Sequence, residues 1–332
     1  MTVRVGINGF GRIGRSVFRV VSRREEMEIV AVNDLYDNEQ LAYLLQYDTV
    51  MGRFERQVEA DAEAMYVDGR AVTMTAERDP EAVGWGDLGV EVVVEATGVF
   101  RQREQLEKHL AGGAQRVLLT VPAKDEIDAT IVMGVNDDRL EPGHRIVSNA
   151  SCTTNCLAPL ARILDESFGI EEGFLTTVHA YTNDQRLADV PHRNLRRSRA
   201  AAQNVIPTTT GAARAVGKVL PHLEGKLDGL AIRVPVPDGS IVDFICRVRD
   251  DCDATAVNEA LRTAANGPLA GVLEFSLAPL VSSDIIGNPH SSIVDGLSTG
   301  VESGRYVNVV SWYDNEWGYS NRVVDLIQRL VG

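Results

Sequence analysis

The residues Gly9-Phe10-Gly11-Arg12-Ile13-Gly14 place three glycines at G-x-G-x-x-G spacing, directly after the strand-like run Val3 to Asn8 and at the opening of a helix-patterned stretch, Arg12 to Arg24. No other stretch limits the fold as much. A strand, a tight glycine turn and a helix that opens on the turn begin a parallel βαβ unit of the dinucleotide-binding kind. Gly9 suits the turn, Gly11 the approach of a pyrophosphate to the backbone, and Gly14 the close packing of helix on strand. The amides of Arg12 and Ile13, at the positive end of the helix, are expected to hold phosphate oxygens. Asp34 follows the next strand, Met27 to Asn33, and lies 20 residues beyond Gly14. A carboxylate there accepts hydrogen bonds from ribose hydroxyls and repels the 2′-phosphate of NADP, so NAD is the expected cofactor.

Further alternation extends the unit. Val90 to Ala96 reads as a buried strand, Gln102 to Leu110 as a polar helix and Arg116 to Thr120 as another strand. The pattern then changes to longer strands, Phe174 to Ala180, Leu230 to Val236 and Ile241 to Arg249, with helices near Ala212 to Leu220 and Ala254 to Ala264. Strands joined without helices imply a mixed or antiparallel sheet. The expected class is α/β. A Rossmann-type doubly wound parallel sheet over residues 1–150, completed by a C-terminal helix within 315–332, is followed by an α+β catalytic domain over 151–314. Between its strands, Tyr181 to Pro207 is a polar, arginine-rich loop long enough to suggest a functional or interface role.

Bulk properties exclude other classes. A net charge of −14 over 332 residues opposes long-range attraction to nucleic acid or anionic membrane. No apolar run approaches the roughly 18 residues of a membrane span, and the N-terminal segment reads as a strand rather than a signal peptide, so a cytoplasmic location is expected. The four cysteines are too few for a disulfide framework. Cys152 and Cys156 lack a second Cys or His pair at finger-like spacing, and no metal site is expected.

Cys152 is the candidate nucleophile. The segment Ser151-Cys152-Thr153-Thr154-Asn155-Cys156 leads from the strand-like Ile146 to Ser148 into a helix ending near Phe168, with Gly169 as its stop. A sulfur at a helix N-terminus meets free amides and the positive dipole end, which favour the thiolate. His179, ending an apolar strand where the polar loop begins, is the candidate base. A satisfied core histidine is the alternative for His179 on sequence alone. Cys156 reads as a small buried residue, and His109, His144, His192, His222 and His290 as surface or turn residues.

NGFGRIGR at Asn8 to Arg15, ASCTTNCLAPL at Ala150 to Leu160, HAYT at His179 to Thr182, TTTGAA at Thr208 to Ala213 and WYDNEWGYS at Trp312 to Ser320 follow one another in an order that resembles the glyceraldehyde-3-phosphate dehydrogenase family. The resemblance covers essentially the whole chain. It implies an NAD-dependent phosphorylating aldehyde oxidation of glyceraldehyde 3-phosphate, through a thiohemiacetal and a thioester on Cys152, with His179 as acid and base. It assigns Thr182 and Arg233 to the substrate's own phosphate, and Ser151, Thr153, Thr210, Gly211 and Arg197 to inorganic phosphate. It adds Arg78 and Thr120 near the adenine and ribose, Thr97 and Gly98 in the loop after the third buried strand, and Asn315 at the nicotinamide amide. It also implies a homotetramer, with the long loop between subunits. The alternative within the same chemistry is an erythrose-4-phosphate dehydrogenase.

Overall fold

A computed structural model describes residues 2–332 of the chain. Two compact units are present. One comprises residues 1–131, 138–150 and 320–332; the other comprises residues 132–137 and 151–319.

Among the described residues, the first unit is built on a nine-stranded sheet. Seven strands run parallel, in the spatial order Ala129–Thr130, Ile146–Ser148, Arg116–Leu119, Val92–Glu95, Val3–Asn8, Met27–Asn33 and Arg70–Thr75. Ala64–Val67 and Val58–Ala60 extend this edge antiparallel. The central strands read as continuous β-branched runs because they are buried on both faces: Val5, Ile7, Val92, Val93 and Val94 have no exposed surface. Strand order reverses beside Val3–Asn8, since the chain next builds outward to Met27–Asn33 and only later returns to Val92–Glu95 on the other side. Such a reversal leaves a crevice beyond the carboxyl ends of the strands, where ligands of open α/β sheets bind.

The glycines behave as their spacing demands. Gly9 sits at φ +92°, in the left-handed region, and a Cβ on Gly14 would lie 2.2 Å from the Gly9 carbonyl oxygen. A Cβ on Gly11 would meet nothing within 4 Å. The helix that opens here, Arg12–Val21, ends three residues before the expected Arg24, with Ser22 as its C-cap.

In the second unit the sheet order is Ile206–Thr209, Leu227–Val234, Ile170–Ala180, Ser240–Val248, Tyr306–Tyr313, Ser292–Asp295 and Leu273–Ser276, with Gly300–Glu302 beside Tyr306–Tyr313. Ile170–Ala180 pairs parallel with Leu227–Val234 and antiparallel with Ser240–Val248, so the sheet is mixed. The Cys152–Phe168 helix packs on it, joined by Ala212–Val219 and Ala254–Ala265. The Tyr181 to Pro207 stretch is mostly irregular, with one 3₁₀ turn at Ala201–Gln203 before the edge strand that starts at Ile206. Among the described residues, no helix is long and apolar enough to cross a membrane.

Candidate active site

Cys152 is the first residue of its helix. Ser151 is the N-cap, its hydroxyl oxygen accepting from the Thr154 amide at 3.1 Å. Just before it, the buried Ala150 takes a left-handed conformation, φ +54°. A residue with a Cβ costs about 1–2 kcal/mol in that region. His179 is the penultimate residue of its strand, as the run of apolar residues before it suggested.

Tertiary packing brings the two side chains together, with His179 Nε2 3.5 Å from the Cys152 sulfur. The other ring nitrogen, Nδ1, is 2.7 Å from the Ala180 carbonyl oxygen and 2.7 Å from Arg233 Nη1, which also donates to the Ala180 oxygen at 2.9 Å. Guanidinium can only donate, so in the tautomer with the proton on Nδ1 that proton and one on Arg233 Nη1 are both donated to Ala180 O, and Nε2 presents a lone pair to the sulfur. Burial and then the Arg233 charge pull the imidazole down to about 3, so it is neutral at working pH. Burial has the opposite sense at Cys152 and pushes the thiol up; Arg233 and hydrogen bonds from Thr153 act against it. The helix start alone led to the expectation of a depressed thiol. The dense surroundings of a partly accessible sulfur, invisible in the sequence, outweigh it. The sulfur therefore depends on a partner to take its proton.

Three residues missed in the sequence complete this cluster. The buried Tyr313 hydroxyl lies 2.8 Å from Thr153 Oγ1 and 2.9 Å from Thr177 Oγ1, and its ring stands edge-on to His179 at 5.8 Å. Ser240 accepts from the Ala180 amide at 3.0 Å and donates to Asn315 Oδ1 at 2.6 Å. That bond orients the Asn315 amide. Tyr313 was within a quoted motif, but nothing local distinguished it from a core aromatic.

The anion-binding candidates are less uniformly gathered. Arg233 Nε is buried with no acceptor among the described residues, which leaves a donor for an incoming anion. Arg197 is instead paired with Asp184 and donates to Thr208 Oγ1 at 3.0 Å. Thr182 bonds through its amide to Gln185 Oε1, and the buried Gln185 Nε2 is likewise without an acceptor. Thr210 caps the Ala212 amide, and Gly211 precedes the Ala212–Val219 helix at an exposed position.

In the first unit, the dinucleotide candidates collect at the carboxyl ends of the parallel strands. Asp34 follows Met27–Asn33 and accepts from the Phe10 amide at 2.6 Å, which places its carboxylate beside the glycine turn. The Arg12 side chain pairs with Asp48, so the backbone of Arg12 and Ile13, rather than that guanidinium, fits a phosphate. Gly98, φ +69°, also faces open space. Thr120 donates to the Glu95 carbonyl at 3.0 Å, while Arg78 lies exposed beyond Arg70–Thr75. The open Cβ positions of Gly11 and Gly98, the helix start without a side-chain cap and the carboxylate at Asp34 fit a dinucleotide.

A buried polar chain stiffens this end of the sheet. Glu95, fully buried, accepts from Asn8 Nδ2 at 2.6 Å and the Thr97 amide at 2.9 Å, and its Oε2 lies 3.0 Å from His109 Nε2. Trp85 Nε1 can only donate, and it lies 3.0 Å from His109 Nδ1. His109 therefore carries its proton on Nε2 and donates it to Glu95. The expectation that His109 is a surface or turn residue is wrong: it has no exposed surface, because its helix turns that side onto Trp85. The network fixes Thr97, and with it the turn at Gly98.

Comparison with known proteins agrees over the whole chain. Residues 3–103 match the family described as glyceraldehyde 3-phosphate dehydrogenase, NAD binding domain, and residues 151–315 match glyceraldehyde 3-phosphate dehydrogenase, C-terminal domain. The chain is 56% identical over 327 residues to the glyceraldehyde-3-phosphate dehydrogenase of Geobacillus stearothermophilus, covering 98% of this chain and 97% of that protein. It is 55% identical over 327 residues to glyceraldehyde-3-phosphate dehydrogenase 1 of Bacillus subtilis, with the same coverage. Against glyceraldehyde-3-phosphate dehydrogenase 2 of Streptomyces avermitilis the identity is 54% over 328 residues, or 98% of each chain.

Proposed function

The chain belongs to the glyceraldehyde-3-phosphate dehydrogenase family, and from that membership we propose that it oxidises D-glyceraldehyde 3-phosphate, with NAD and inorganic phosphate, to 1,3-bisphosphoglycerate. It is an NAD-dependent oxidoreductase acting on an aldehyde. The observation that carries the reading is a cysteine sulfur at a helix start, 3.5 Å from a neutral imidazole that is itself backed by Arg233.

The chemistry follows from those atoms. His179 Nε2 takes the proton from the Cys152 thiol as the sulfur bonds to the aldehyde carbon, and returns a proton to the aldehyde oxygen, giving a thiohemiacetal. His179 then removes that hydroxyl proton as hydride leaves the carbon, and a thioester remains on Cys152. NAD, when bound, accepts the hydride. A phosphate oxygen next attacks the thioester carbonyl carbon and the sulfur departs as thiolate, which releases the acyl phosphate. Arg233, beside both reacting side chains, favours the thiolate at the start and at the end. Arg233 and Thr182 bind the substrate's phosphate, and Ser151, Thr153, Thr210, Gly211 and Arg197 the attacking one. Gly9, Gly11, Arg12, Ile13, Gly14, Asp34, Arg78, Thr97, Gly98 and Thr120 hold the dinucleotide, and Asn315 donates to the nicotinamide amide.

The test is NADH formation from glyceraldehyde 3-phosphate with and without phosphate. Turnover that requires phosphate is expected, with kcat/KM higher for NAD than for NADP because the Asp34 carboxylate repels a 2′-phosphate. Turnover independent of phosphate would refute the phosphorylating reading, and faster oxidation of erythrose 4-phosphate would move the substrate assignment. Equal kcat/KM for the two cofactors would refute the role of Asp34.

The working form is a cytoplasmic homotetramer with the Tyr181 to Pro207 loop between subunits. Its exposed Leu187, 88% accessible, and Leu195, 82%, support that reading. Light scattering should give the mass of four 36.2 kDa chains. Salt should favour assembly, since each chain carries a charge of −14. A monomer that binds NAD and turns over normally at every salt concentration would overturn it.

A further inference from the structure

Two carboxyl groups are sealed from solvent beside Asn315. Asp238 has no exposed surface and Asp314 is 1% exposed. Asp314 accepts three amide protons: from Glu316 at 2.9 Å and Trp317 at 2.6 Å on one oxygen, and from Gly287 at 2.7 Å on the other. Asp238 Oδ1 accepts from the Gly239 amide at 2.8 Å. The second oxygen of Asp238 is buried and meets no donor among the described residues, and the antiparallel pairing of Ser240 with Tyr313 runs the Asp238 segment alongside Asp314. The charged groups that bear on Asp238 are Asp314 and Glu316, both acidic, and the Cys152 thiol lies within its field.

Two ionised carboxylates cannot share such a site, since neither retains water and each repels the other. One proton removes the conflict. Asp314, with three N–H donors, is the better-stabilised anion, so the proton belongs on Asp238, where its orphaned oxygen becomes a donor. Burial first, then the charges of Asp314 and Glu316, push Asp238 in the same direction, up to about 9.

The pair joins the two segments that set Asn315. Asp314 precedes it in the chain, and Ser240, two residues after Asp238, donates to its side-chain oxygen at 2.6 Å. We propose that Asp238 is a carboxylic acid donating to the Asp314 carboxylate, and that this shared proton positions Asn315. The cofactor role of Asn315 rests on the function proposed above. A neutral Asp238 also keeps an anion away from the sulfur, where it would hold the thiol protonated.

Asp238→Asn tests this, because the isosteric amide donates to Asp314 without titrating. The folded state retains a proton that the unfolded chain gives up in the ordinary carboxylate range. The contribution to stability is therefore complete at acid pH, and is lost as pH rises from about 4 to about 9. Relative to the variant, the wild-type unfolding constant should rise by up to about tenfold per pH unit across that window. Infrared difference spectra of wild type against variant should show the carbonyl stretch of a protonated acid. NAD affinity of the wild type should fall above about pH 9 while that of the variant stays flat. Parallel stability curves and no acid band would overturn the proposal. Should Asp238→Asn fail to fold, infrared difference spectra of the wild type between about pH 7 and about pH 10 carry the test: loss of an acid carbonyl band is expected, and no such band overturns the proposal. A stability slope with no change in NAD affinity overturns the positioning role. Asn315→Ala then separates the causes: weakened NAD binding leaves the cofactor role of Asn315 standing, and unchanged binding removes it.

Discussion

Cys152→Ser is expected to lower turnover by roughly 10⁴-fold or more while NAD binds with near-wild-type affinity. A serine hydroxyl is far less acidic than a thiol, and Cys152 is already surrounded by packing that disfavours charge. The dinucleotide candidates at the glycine turn are untouched by the change. Cys156→Ser should be mild. Cys156 is fully buried, its sulfur 3.6 Å from Ser292 Oγ, and its thiol is pushed up to about 12, so it is inert as a nucleophile. Steady-state NADH formation, with NAD affinity measured by titration, checks both variants. An active Cys152→Ser beside a dead Cys156→Ser would reassign the nucleophile.

His179→Asn should cost about 10²–10⁴ in kcat/KM, the usual value of positioned acid–base help, which corresponds to about 3–5 kcal/mol of barrier. The loss has a predictable pH dependence. In the variant the thiol must ionise unaided against burial, so its rate should climb with pH and the deficit should narrow toward alkaline conditions. In the wild type, Nε2 takes the proton over the whole range in which the imidazole is neutral. A deficit independent of pH, or an unchanged rate, would remove His179 from the proton path.

The parts of this protein that were legible in the sequence are those governed by neighbours along the chain. The glycine spacing at Gly9 to Gly14 required one backbone course, since a Cβ at residue 14 would collide with the residue 9 carbonyl. The helix beginning at Cys152 was marked by a serine cap at its start and Gly169 at its end. Boundaries were less secure where packing, rather than a cap, ends an element. The strand through His179 starts at Ile170 instead of Phe174, because pairing with Ser240–Val248 extends it through polar residues that alternate poorly.

What the sequence could not contain is the electrostatic surroundings of each group. His109 carries no local sign of burial, yet it donates to Glu95 because Trp85, distant in sequence, takes its other nitrogen. Tyr313 and Ser240 look like ordinary strand residues until sheet pairing sets Ser240 opposite Tyr313, at the site where Cys152, His179 and Asn315 collect. By itself the sequence determined the fold class, the glycine turn, the cysteine at a helix start and the histidine at a strand end, because those depend on dihedral preferences, caps and periodicity acting over a few residues. Only the tertiary structure decided that the sulfur meets that histidine, that Arg233 stands behind it, that burial raises the thiol and that Asp238 adjoins Asp314. Those outcomes depend on which groups lose water together, and desolvation and charge act through space rather than along the chain.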